Sequence, residues 1–110
     1  MKTYFGFRDA EGIARVKIKE TNRALPLRLD LRRHSPTGFE WGYGGSGPAQ
    51  LALALLADAL GNDHLALQWH QPFKFAVVAG LAHSTWTLTV SEVVTVVKRL
   101  EAEADEDTPA

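Results

Sequence analysis

Between Arg32 and Gly47 the chain sets out a group of side chains suited to holding an anion. Arg32, Arg33 and His34 stand at the entrance, and Gly42-Tyr43-Gly44-Gly45-Ser46-Gly47-Pro48 leads into a run of leucine and alanine. Successive amides that converge on a helix start bind phosphate or carboxylate, helped by the helix dipole. Ser46 adds a hydroxyl at that point. Phe39, Trp41 and Tyr43 occupy alternate positions, so in an extended loop all three face one way. They would then stack on a base or sugar, or plug a seam between layers of the fold. Glu40 lies between them and faces the other way, placed to accept from a ligand hydroxyl or to pair with Arg32 or Arg33. A purely structural turn competes with the binding reading of Gly44, Gly45, Ser46 and Gly47.

Other chemistries are poorly served. No GxxxxGK[ST] phosphate loop is present, and the βαβ context and downstream acid of a dinucleotide fingerprint are lacking. Ser35 and Ser46 are not in a GxSxG elbow. His34, His64, His70 and His83 show neither HxH nor HxxxH spacing, and no cysteine is available as ligand or nucleophile. His34 with Glu40 is the one acid–base pairing the spacing suggests. The sequence therefore leans away from an enzyme and assigns no catalytic residue, metal or cofactor.

The elements that must position this loop can be read on either side of it. Thr3–Arg8 and Ile13–Lys19 read as strands joined by a turn at Asp9–Gly12, and Arg15, Lys17 and Lys19 alternate with Val16 and Ile18. Leu25, Leu27, Leu29 and Leu31 alternate with Arg28 and Asp30, which predicts a third strand, with Pro26 at its start or at a sheet edge. Past the loop, Pro48 fits the first position of a helix capped by Gly47, with Gln50 reaching back. That helix is apolar all round to Leu60 and hence buried. Gly61 ends it and Asn62 or Asp63 caps the next, which Pro72 should kink or restart. Trp86–Thr89 reads as a short extended link, and Ser91 with Glu92 opens a last helix over Val93–Leu100. Strands followed by helices define an α+β fold: an N-terminal antiparallel meander of about three strands packed by about three C-terminal helices. Arg15, Lys17, Lys19, Arg28 and Arg32 are expected on the outward face of the meander.

The length fits a single α+β domain over 1–102, with an acidic, flexible tail over 103–110. No apolar run reaches membrane-spanning length and no signal peptide is evident at the start, so a cytoplasmic protein is expected. Net charge is -1, yet Met1–Arg33 carries nine Lys/Arg against four Asp/Glu and the remainder three against nine. The near-zero total makes nucleic acid an unlikely partner, while the basic third leaves room for an anionic one.

The run HSPTGFEWGYGGSGPAQLALALL, with Phe73-Lys74, Ala76-Val77-Val78-Ala79 and Trp86-Thr87-Leu88-Thr89, resembles a family of small uncharacterised proteins of bacteria, archaea and phages, often in mobile-element contexts. The resemblance covers most of the chain, from Lys2-Thr3-Tyr4 and Gly6 to the final helix, with Gln71-Pro72 as a departure. It implies a prokaryotic or host cytoplasmic setting and supplies no mechanism. The leading expectation is a non-enzymatic binding protein that holds a small anionic, nucleotide-like ligand at the loop. A modulator of a phage or mobile element that binds a host protein is the alternative. Single-stranded nucleic-acid binding by the strand face is the weaker one.

Overall fold

A computed structural model describes residues 2–106. Four strands, β1 (Thr3–Arg8), β2 (Ala14–Ile18), β3 (Arg23–Ala24) and β4 (Trp86–Thr89), form one antiparallel sheet in the order β3-β2-β1-β4. Three helices follow the meander: α1 (Ser46–Leu60), α2 (Asp63–Ala76) and α3 (Val90–Glu106), with a 3-10 turn at Val78–Gly80. The α+β class is as expected. The strand count is four, because Trp86–Thr89 is not a link but the outer partner of β1, from Gly6↔Trp86 to Thr3↔Thr89.

The register sorts the side chains by face. Tyr4, Val16 and Ile18 point inward and join one core cluster with the leucines of α1. From Gly47 to Ala57 every residue of α1 is buried. Leu51, Leu53, Leu55 and Leu56 are fully covered, each contributing about 1.5–3 kcal/mol over an exposed state. Gly6 is a packing requirement: a methyl there would lie 2.2 Å from the Trp86 indole, which occupies the space above the glycine. Tyr4 closes the inner face by donating its hydroxyl to Asp58 (2.5 Å), and burial pushes that phenol well above its usual range.

Several boundaries differ from the sequence expectation for identifiable reasons. Leu25–Leu31 is not a strand: β3 is the two residues before it, Arg23–Ala24, and the leucine stretch adds only a bond from the Leu25 amide to the Val16 carbonyl. Pro26 offers no amide, Arg28 adopts φ 58°, and the chain beyond is held by a side chain of α1 instead of a strand. Arg28 consequently leaves the sheet and pairs with Asp30 and Asp63. Helix α1 begins two residues early, with Gly45 as N-cap and no side-chain cap, which makes Pro48 the third helical residue. Gly61 ends it at φ 61° and Asn62 caps α2 by accepting the Leu65 amide (3.0 Å). Helix α2 runs through Pro72 without a restart. The cap of α3 is Thr89, not Ser91: Thr89 Oγ1 accepts the Glu92 amide (3.1 Å) and Glu92 accepts the Thr89 amide (3.0 Å). Helix α3 extends to Glu106, so residues 103–106 of the expected tail are its last turn, and 107–110 lie outside the described residues. Among the described residues no helix is long and apolar enough to cross a membrane.

Candidate functional site

Gln50 organises the loop. It is fully buried on α1, and all four of its bonds go to the segment between the sheet and the glycines. Its Oε1 accepts the amides of His34 (2.8 Å) and Ser35 (3.0 Å), while Nε2 donates to the carbonyls of Leu27 (2.6 Å) and Arg32 (3.1 Å). The pairing of donors with acceptors fixes the amide orientation. Gln50 is thus a clamp on a neighbouring loop and not the back-reaching member of a capping box. It delivers His34 to α2.

There His34 Nε2 lies 3.0 Å from His70 Nε2. His70 Nδ1 is 2.8 Å from the Leu67 carbonyl, which requires a proton on Nδ1. A neutral His70 then accepts at Nε2 and His34 donates. Burial depresses both pKa values below the ordinary histidine range; His70, Arg32 and Lys74 depress His34 further, and Arg32 and Lys74 act on His70. The charged groups acting on the pair are all cations.

Lys74 stands one turn after His70 and is only 7% exposed. Its ammonium sits 4.2 Å from the centroid of the Phe75 ring, and among the described residues it has no hydrogen-bond or ion-pair partner. Phe75 is 67% exposed and packs beside Gly44, where a methyl would come within 3.0 Å of its ring. On the other side of the glycines the exposed Tyr43 ring covers Gly45. Two accessible rings thus flank the Gly44–Gly45 backbone, next to the cluster of Arg32, His34, His70 and Lys74.

The aromatic triplet does not share a face. Phe39 and Trp41 are buried, whereas Tyr43 is exposed, because Gly42 at φ 87° turns the chain and donates its amide to Val78 (3.0 Å). Trp41 packs edge-on against Trp86 and donates Nε1–H to the His83 carbonyl (2.9 Å), which makes it a core plug. Glu40 pairs with neither Arg32 nor Arg33. Arg8 holds it through two hydrogen bonds of 3.0 and 3.1 Å and keeps its carboxyl below the usual carboxylate range. With His34 paired to His70, the suggested His34–Glu40 acid–base pair does not form.

Phe39, Glu40, Tyr43, Ser46 and Gly47 do come together, with Ser35, Thr37 and Ile13, around an open cleft of about 360 Å³. Gly47 is needed there, since a methyl would meet the Glu40 backbone and Cβ at 2.7–3.1 Å. The cleft has a carboxylate in its wall, so an anion finds a better environment on the histidine side of the loop. Arg32 and Arg33 remain exposed, and only Arg32 acts on the histidine pair. Gly44 and Ser46 are exposed and Gly45 caps α1. His70, Lys74, Phe75 and Arg8 escaped the sequence reading. His70 and Lys74 do carry a signal, an i, i+4 polar pair on a helix whose stripe is otherwise apolar; Arg8 carries none. Among the described residues no three metal-ligating side chains converge.

The fold and the cluster define a small α+β domain with its helices on one side of the sheet and, where the glycine loop meets α2, a histidine pair flanked by the cations Arg32 and Lys74. The chain belongs to the DUF6166 family, a family of unknown function, which it matches over residues 4–99. No curated protein and no solved structure matches it.

Proposed function

We propose that the protein is a non-enzymatic binding protein for a small anionic, nucleotide-like ligand, taken up between the glycine loop and the end of α2. The observation that carries this reading is the meeting of Lys74 and Arg32 at the histidine pair: the stem of Lys74 is packed away, its ammonium reaches the surface, and among the described residues no acid pairs with it. A bound anion gains from two cations of fixed position and meets no competing carboxylate there. Arg32 adds a second cation, His34 gains a free donor at Nδ1 when it takes up a proton, and no carboxylate acts on the pair. Tyr43 and Phe75 offer ring faces beside Gly44–Gly45 for the apolar part of the ligand. The resemblance to proteins of bacteria, archaea and phages, and the absence of cysteine, support a prokaryotic or host cytoplasm as the setting.

Thermal-shift titration with pyrophosphate and with adenosine nucleotides tests the reading. A ligand at about 100 times its Kd raises stability by about 2.7 kcal/mol, a shift of several degrees. Lys74→Met should keep the fold and abolish the shift. No stabilisation at millimolar ligand, or a shift unchanged in Lys74→Met, would rule the site out.

A further inference from the structure

The face of the sheet opposite the helices carries its own chemistry. Phe5 and Phe7 alternate with the inward Tyr4 and Gly6, are partly exposed, and lie outside the core cluster. Their rings stack side by side, centroids 5.3 Å apart and 19° from parallel. They occupy an interior strand, with Lys17 and Arg15 opposite them on β2 and Thr87 opposite Phe5 on β4. The Lys17 ammonium lies 5.5 Å from the Phe7 centroid, and Lys19 continues the cationic row beyond β2. The carboxylates nearest this face are engaged. Asp9 accepts from Arg15 and from the amides of Glu11 and Ile13, and Glu20 accepts the Thr3 amide.

We propose that this outer face binds single-stranded nucleic acid, unpaired bases stacking on Phe5 and Phe7 while Lys17 and Lys19 meet the linking phosphates. Aromatic side chains take base faces without regard to sequence, and a row of cations beside them tracks the backbone. The two rings already cover one another, so bases stack on their outward faces, splayed from one another. The rings need the face of an unpaired base, which a stacked duplex does not offer, so a single strand is favoured over double-stranded DNA. The near-zero charge of the whole chain does not weigh against this, because its acidic residues concentrate after His34 while this face is built from the basic N-terminal third. The inference is independent of the anion cluster, which lies on the helix side.

Fluorescence anisotropy tests it, with the full chain titrated into labelled DNA and RNA single strands of about 15 nucleotides at several salt concentrations. Binding should weaken as salt rises. Phe5→Thr with Phe7→Thr should lower affinity about tenfold or more, and Lys17→Gln should reduce the salt slope by about 0.7. Lys17→Glu, a single surface change, carries the test should the double variant fail to fold, and it should abolish binding at moderate salt. Absence of salt-dependent binding would overturn the proposal, as would affinity unchanged by these variants. Loss of binding in Lys74→Met alone would move the strand to the histidine cluster. A dimer that dissociates on Phe5→Thr, seen by sedimentation, would give the face to a second copy of the chain instead.

Discussion

The His34–His70 contact can take up one proton and remain intact. With Nδ1 of His70 committed to the Leu67 carbonyl, the open position is Nδ1 of His34, and a proton there preserves the Nε2–H···Nε2 bond. A second proton sets one N–H against another. Both pKa values are depressed in the fold, so below the ordinary value of 6.5 the unfolded chain binds more protons than the folded one. Stability is therefore complete above about pH 6.5 and declines as pH falls toward the folded values. The melting temperature should be flat from about pH 8 to pH 7 and drop below pH 6.5, and His34→Asn with His70→Gln should remove that part of the profile. A wild-type curve flat to pH 5 would contradict the geometry. Arg32 and Lys74 are the charges facing the pair, so an anion seated among them raises both values and binds more tightly in acid.

At the scale of elements, Gln50 joins the helical layer to the 27–35 segment. Gln50→Leu keeps the volume and strips two amides and two carbonyls of their partner at once. The expected cost is about 2–4 kcal/mol, a melting temperature lower by roughly 10 °C or more, with helix content retained. A calorimetric midpoint within a degree or two of wild type would show that water replaces the clamp. The same residue explains what could and could not be read ahead of the structure. Period-two patterning over Ala14–Ile18 and the all-apolar run after Pro48 dictate a strand and a buried helix on local grounds alone. Leu25–Leu31 shows the same period two and is not a strand: Pro26 has no amide to give, the Leu31 amide turns back to the Arg28 carbonyl, and the Leu27 carbonyl is taken by Gln50 of α1. Local pattern cannot see a side-chain donor that far along the chain. The candidate site divides in the same way. Tyr43, Gly44 and the cation at Arg32 were legible as a loop of suitable composition. Lys74 and His70 become significant only once α2 folds back along α1 and brings them to His34. Trp41 was ambiguous between ligand platform and plug until Gly42 turned Tyr43 away from it.

For the whole molecule, α1 is the shared interior of every layer, and its amides should report global unfolding. In native-state hydrogen exchange, Leu51–Leu56 should be the slowest group, and residues 101–105 of α3, where the side chains are exposed, the fastest helical stretch. Equal exchange in the two stretches would mean that α1 opens independently of the rest. The order of strands has a further consequence, concerning how the chain is made. β1 precedes the other strands in the chain, yet it is interior to the sheet, and the partner on its far side begins only at Trp86. One edge of β1, together with the bare Gly6 surface that Trp86 covers, stays open while some 80 residues are added, a wait of roughly 4–16 s. During that interval the nascent protein presents an unpaired strand edge beside aromatic rings, the form in which sheets recruit the wrong neighbour. Accurate production of this protein thus depends on the last strand arriving before a second nascent chain does.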